Sequence, residues 1–410
     1  MHISKLNLPI VILGISILSL FMFIYPDSTW QAAVRGLSIW WDVLFPSLFP
    51  FFVISEVLLG FGIVHFLGQI LDPLMRPIFR IPGSGGFVAA MGFAAGYPVS
   101  ARLAVKLREQ NLIGRDEGER LVAFTTSSDP IFLIGAVSVG FFHNPAIAGI
   151  LALAHYGGSV LIGLVMRFHG NKSPSPFPPN PPIYLPKTNR LKSAFLAMHK
   201  ARLEDGRELG ELLLQAVTSS LQLMTVVGGL VVFFSVFLEM LNASGLMAYL
   251  YQGLQFLLPH LGLPSSLSEP FVSGLFEVTL GTKNAAAATG DISLPFKVAA
   301  AAFVLSWGGL SVHAQVASIL NATDLRYIPF LIARAIHAVI SAILIFILWP
   351  WLGLGQVDTT ATSSFNPVTY TWSASVGNLS YGVKLLGILL ILSILAILIQ
   401  RLKPRWNKLN

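Results

Sequence analysis

The chain has 410 residues, 54% of them hydrophobic and 11% charged, with a mean hydropathy of +0.72, whereas an ordinary soluble domain carries about 25% charged residues. So little polar surface cannot cover a water-soluble globule, and the chain reads as an all-α protein that crosses a lipid bilayer several times. The absence of cysteine excludes disulfides, thiol catalysis and cysteine-ligated zinc, and the net charge of +7 sits in short loops between apolar runs, where orientation signals rather than nucleic-acid contacts are expected.

The first apolar run, residues 8–25, approaches the ~20 residues a spanning helix needs. Lys5 precedes it, as in a signal peptide, but no small-x-small cleavage pattern follows at Tyr25-Pro26-Asp27, so a retained helix is expected. The next span is 36–62, with Trp40 and Trp41 near its start as interfacial aromatics. Residues 66–101 are apolar but broken by Pro73, Pro77, Pro82, Gly92, Gly96 and Pro98. Spans 121–142 and 146–168 follow, joined by the tight turn His143-Asn144-Pro145. Seven prolines between 171 and 186 make an extended linker, and 192–214 reads as an amphipathic helix. Span 221–241 precedes a second broken stretch, 246–288, with Pro259, Gly262, Pro264, Pro270, Gly274 and Gly281. Spans 296–320, 328–351 and 381–402 complete the chain. Irregular backbone at membrane depth survives only inside protein or along a wet cavity. Both broken stretches are therefore expected to be re-entrant hairpins or broken helices.

Lysine and arginine set the sides. The loop 102–120, the linker 169–210 and the tail after 400 are basic, whereas 353–382 holds no Lys or Arg and only Asp358 as a charge. The positive-inside rule places the first three in the cytoplasm and the last outside. Counting spans from a cytoplasmic N-terminus, with the first hairpin entering from inside and the second from outside, satisfies every basic segment.

The order span, broken hairpin, span, span occurs twice, and residue classes recur about 180 positions apart: Gly92-Phe93 with Gly274-Leu275, and Ser127-Ser128-Asp129-Pro130 with Ser306-Trp307-Gly308-Gly309. The first unit starts outside and the second inside. Two inverted repeats with Gly/Pro-interrupted segments at matching positions are the expected architecture, a pattern typical of secondary transporters. The segments are 1–35, an N-terminal helix; 36–168, the first repeat; 169–220, the linker and amphipathic helix; 221–351, the second repeat; and 352–410, the outside loop, last helix and basic tail.

Four constellations are candidates for solute contact. The first is Gly96-Tyr97 with Ser100 and Arg102, where small residues next to Tyr-Pro favour a helix break over simple helix packing. The second is Ser127-Ser128-Asp129 before Pro130. These residue types cap helices, and a helix N-terminus inside a bundle also attracts anions. The third, Glu277, Thr279, Thr282 and Lys283, puts charges in an apolar hairpin, where each costs about 2.5–3.5 kcal/mol if it faces lipid. They are expected to face the bundle or a wet cavity, with snorkelling to the interface the rival reading for Lys283. The fourth is Ser306, Trp307, Ser311, His313 and Gln315, where a histidine that alone would be merely hydrogen-bonded has polar company. Ser127, Ser128, Glu277, Thr279, Ser306 and His313 are expected to converge near the midplane. No zinc spacing, Walker loop or dinucleotide fingerprint is present, so neither an enzyme nor a cofactor is expected.

At AGYPVSAR (95–102), at 125–130 followed by IGAVSVGFF (134–142), at GLFEVTLG (274–281) and at SWGGLSVHAQVASI (306–319), the chain resembles the sporulation integral membrane protein YlbJ (SpoVV) family. The resemblance covers nearly the whole chain and is looser at Ser100 and Arg102, where glycine and lysine are common. It implies two nucleoside-recognition Gate domains, similar to parts of concentrative nucleoside transporters. It also implies a role in endospore formation: moving dipicolinic acid from the mother cell across the outer forespore membrane. A dicarboxylate on a flat ring would suit helix N-termini, the hydroxyls of Ser127, Ser128, Thr279, Thr282 and Ser311, the cations Lys283 and Arg102, and the rings of Trp307 or Tyr97. Rival readings are a transporter for a nucleoside or another small metabolite, and a non-transporting scaffold for spore morphogenesis. Coupling ion and protein partners are left open.

Overall fold

The computed structural model describes residues 7–63, 65–66, 70–71, 75–109, 111–170, 190–290 and 292–352. All regular structure among them is helical. The proline-rich linker, the outside loop and the expected helix at 381–402 lie outside the described residues. Among the described residues, four helical stretches are long and apolar enough to cross a membrane: Pro145–Met166, Leu209–Ala243, Leu294–Leu320 and Tyr327–Leu352. A bent pair, Ile12–Ile24 and Pro26–Leu44, meets at 102° and supplies a fifth if taken together.

The bend has a local cause. Pro26 has no N–H to continue the preceding helix and suits the first turn of the next. The second helix therefore starts at Pro26 and not near Gly36. It runs antiparallel to Leu209–Ala243, with Thr29 against Met240, Gly36 against Ser235 and the Trp40 indole donating to the Met224 carbonyl at 2.8 Å. Trp40 is thus wedged between helices, while Trp41 stays exposed. The amphipathic helix is also shorter than its pattern suggested: Arg190–Asp205 stops at Gly206, whose φ of 66° is the left-handed conformation that ends helices.

Two units of the same order follow one another about 180 residues apart. The first has a hairpin, Ser84–Ala95 and Tyr97–Glu109, then the helix Arg115–Thr125, a non-helical stretch at 126–129, the wide-turned helix Phe132–Phe141 and the helix Ala148–Met166. The second has a hairpin, Ser268–Phe276 and Val278–Ala287, then Leu294–Trp307, Gly309–Leu320 and Tyr327–Leu348. Residues 121–142 and 296–320, which hydropathy alone makes continuous, are each interrupted. The interruptions fall at 126–129 and at Gly308, the two motifs that the repeat aligned.

The last helices of the two units pack directly together. Gly158 makes this possible, since a methyl group there would lie 2.7 Å from Ser341 Oγ. At one end, ion pairs tie the units. Arg108 holds Asp324 through two bonds of 2.8 and 3.0 Å, and buried Glu119 accepts from Arg326 at 2.7 Å and pairs with His169 at 2.6 Å. Asp116, Glu119 and His169 lie close enough to hold a metal ion. The Arg326 guanidinium bonds both carboxylates, so the positive charge there is already supplied.

Candidate solute site

In each unit the hairpin tip meets the interruption of the helix that follows it. Gly96 turns the first hairpin at φ 85°, ψ −172°, a conformation essentially restricted to glycine. A methyl group there would lie 3.2 Å from Asp129 Oδ2. In the second unit Glu277 is the tip, in extended conformation, and Gly309 is at the interruption. A methyl on Gly309 would come within 2.9 Å of the Phe276 carbonyl and 3.0 Å of the Glu277 backbone. The arms of that hairpin cross at Gly274 and Gly281, and a methyl added at Gly281 would lie 2.3 Å from the Gly274 Cα.

Both carboxylates cap helices. Asp129 Oδ1 accepts from the Ile131 and Phe132 amides at 3.0 and 2.8 Å. Glu277 accepts from the Leu280 amide at 2.8 Å and from the Thr279 hydroxyl at 3.2 Å. Each neutralises a helix N-terminus that would otherwise attract an external anion. Of the two readings of these motifs, capping is the one the geometry shows: the chain's own acids fill both N-termini.

A cavity of about 130 Å³ lies between the two units. Its polar wall is Gly96, Tyr97, Ser128, Asp129, Glu277, Thr279, Ser311 and Gln315; its apolar wall includes Phe52 and Phe132, and Val226, Val227 and Leu230 of the long helix. No lysine or arginine lines it among the described residues. The buried Ser128 hydroxyl lies beside the Tyr97 hydroxyl, which donates to the Leu305 carbonyl at 2.6 Å and keeps its lone pairs free to accept.

Each interruption is capped by the other unit. Tyr97, from the first hairpin, takes the Leu305 carbonyl near the end of Leu294–Trp307. Fully buried Arg334, from the second unit, donates to the carbonyls of Thr126 and Ala123 at 2.6 and 3.0 Å, where Arg115–Thr125 ends. His155 joins both. The Ser128 amide donates to its Nε2 at 3.1 Å, which leaves Nδ1–H to donate to Ser306 Oγ at 2.9 Å. Ser306 in turn donates to Ser341 Oγ at 2.8 Å, and His337 Nε2 donates to the His155 carbonyl at 2.7 Å.

The motif residues thus separate. Gly96, Tyr97, Ser128, Asp129, Glu277, Thr279, Ser311 and Gln315 line the cavity. Ser127, Ser306 and His313, expected to converge with them, are buried but do not line it. Ser306 belongs to the His155 network, and His313 bonds Tyr327 and the Trp307 carbonyl. Ser100 bonds Thr126, Thr282 bonds its own helix and Trp307 donates to Leu275. Arg102 is exposed and lines no wall of the cavity; Lys283 lines a different cavity. His155, His337 and Arg334 were not singled out from the sequence. Arg334 carried a usable signal: it is a charge in the middle of an apolar span, which membrane helices keep only for a reason.

The chain matches the Gate family model, described as nucleoside recognition, over residues 42–160 and 224–323. It is also 45% identical over 349 residues, 85% of this chain and 84% of the other, to the Sporulation integral membrane protein YlbJ of Bacillus subtilis (strain 168). The chain belongs to the YlbJ family of Gate proteins. A CNTnw variant solved in an outward-facing state has a TM-score of 0.50 at 12% identity, covering 82% of this chain and 87% of that one. CNTnw in an inward-facing substrate-bound state has a TM-score of 0.48, also at 12% identity, covering 81% and 86%. The protein is a helical integral membrane protein that shares its fold with CNTnw and is homologous to a sporulation protein.

Proposed function

We propose that the chain is a secondary-type transporter that acts in endospore formation, and that its solute is dipicolinic acid, moved from the mother cell across the outer forespore membrane. The observation that carries this reading is the cavity where both hairpin tips meet, lined by Thr279, Ser311 and Gln315 and by the rings of Tyr97, Phe52 and Phe132. Its size suits one small aromatic ring, since an apolar cavity of about 150 Å³ takes up benzene. Because Asp129 and Glu277 face the same space, a dianion needs compensating positive charge to enter. The test is flux of radiolabelled dipicolinate into vesicles that contain this protein alone. Saturable flux absent from empty vesicles is expected; its absence overturns the proposal.

A second reading, a nucleoside or another uncharged metabolite, is favoured by the same acidic wall. Carboxylates and Gln315 suit hydroxyl and N–H donors, and no basic side chain lines the cavity among the described residues. Radiolabelled uridine in the same vesicles separates the two.

A further inference from the structure

A second cavity, of about 190 Å³, adjoins the same two helices that wall the first. Leu230 belongs to the first cavity and Ser235 to the second, five residues on along Leu209–Ala243, or about 7.5 Å at 1.5 Å per residue. Thr279 and Lys283 stand in the same relation on Val278–Ala287, one turn apart. The basic linker lies before Leu209, so the positive-inside rule puts this second cavity on the outer side of the first.

Its charges are unevenly committed. Arg35 is bonded to Glu239 at 2.7 Å. Glu269 receives a long 3.4 Å contact from Asn284, whose shorter bond, 3.0 Å, goes to Ser273. Lys283 is half-buried and makes no hydrogen bond or ion pair among the described residues. The Ser235 hydroxyl is buried against Gly36 and is not open to the cavity. The half-buried Lys283 ammonium, with the Arg35 guanidinium in the same wall, is complementary to a carboxylate, which supplies both charge and acceptors.

We propose that this outer cavity binds a small organic carboxylate on Lys283, separately from the central cavity. The division has a physical reason. The central cavity holds two acids and no base, so recognition of an anion's charge falls to the vestibule beside it, while the central cavity reads shape and hydrogen bonding. The proposal goes beyond the transport reading and does not require that dipicolinate cross the membrane.

The test is calorimetric titration of the purified full-length protein with benzoate, with dipicolinate and with the uncharged pyridine-2,6-dicarboxamide. The parent is expected to bind both carboxylates, and Lys283→Met to weaken them about 10- to 150-fold without changing the diamide. Lys283→Arg is expected to retain most of the affinity, and Glu269→Gln to strengthen carboxylate binding several-fold by removing a repelling charge. Lys283→Cys gives a measurement independent of affinity, because the chain has no other cysteine: benzoate is expected to slow its reaction with a thiol reagent. Unchanged carboxylate affinity in Lys283→Met, equal weakening of the diamide, or no protection of the cysteine overturns the proposal. If dipicolinate does not cross vesicles but Lys283-dependent binding persists, the transport reading fails and this one stands.

Discussion

The two helix interruptions are built from the same parts in opposite order. In the first unit glycine is at the hairpin tip and the carboxylate, Asp129, is at the interruption; in the second the carboxylate, Glu277, is at the tip and glycine, Gly309, is at the interruption. Either way one partner without a side chain lets the other's backbone approach, and one acid caps a helix N-terminus, Asp129 that of the helix after the interruption and Glu277 that of its own hairpin's second arm. The caps at the other ends differ in kind. Arg334 holds two carbonyls with a buried cation, whereas Tyr97 holds one with a neutral phenol. The first interruption carries a larger electrostatic commitment than the second, and substitutions should show the difference.

Arg334→Met should have the largest effect. It leaves the Thr126 and Ala123 carbonyls buried and unpaired, at about 1–3 kcal/mol each. We expect a fall of several degrees or more in the apparent melting temperature in detergent, with reduced abundance in the membrane. A melting temperature within a degree of the parent would show that the cation does not hold the first interruption. Next comes His155→Phe, which removes the bond to the Ser128 amide and the link to Ser306 together. The Ser128 amide is left buried and unpaired while Ser306 keeps its bond to Ser341, so the cost should be about 1–3 kcal/mol. If the histidine couples the two interruptions, Ser306→Ala added to His155→Phe will cost less than the sum of the singles; strict additivity would mean they act separately.

Tyr97→Phe tests the weaker cap. Losing one neutral bond to a buried carbonyl should cost about 1–3 kcal/mol, less than Arg334→Met. Equal melting temperatures for the two variants would erase the contrast between the interruptions. The smallest effect is expected at the ion pair between the units. Two bonds from Arg108 hold the Asp324 carboxyl below its ordinary value. Its contribution is therefore complete above the unfolded carboxyl's range and is lost as pH falls through the lower folded value. The pair is half-exposed, so Asp324→Asn should cost about 0.2–1 kcal/mol at neutral pH and nothing at the acid end of that window. Melting curves from pH 7 to pH 3 would check this; a loss that grows toward acid would reverse the assigned sign.

Hydropathy located the apolar runs because burial in lipid depends on composition alone: 146–168 and 328–351 correspond closely to Ala148–Met166 and Tyr327–Leu348. The repeat alignment paired 127–130 with 306–309, and both contain interruptions. Hydropathy could not show the interruptions themselves, since an apolar run reads the same whether its helix is continuous or broken. Helix ends were lost where one residue decided them, the start at Pro26 and the stop at Gly206.

The sequence by itself determined that this chain is helical, crosses a membrane and carries polar groups at matching points of two similar units. Composition, charge asymmetry and the position of Gly and Pro are local properties and need no tertiary knowledge. Only the tertiary structure decided which polar groups share a space. It put Glu277 in the central cavity and Lys283, six residues later, in the outer one, because a helix carries successive residues along its axis as well as around it. It also brought His155 and Arg334 against motifs far away in the chain, which no spacing announces, because such contacts depend on how helices pack and not on their order.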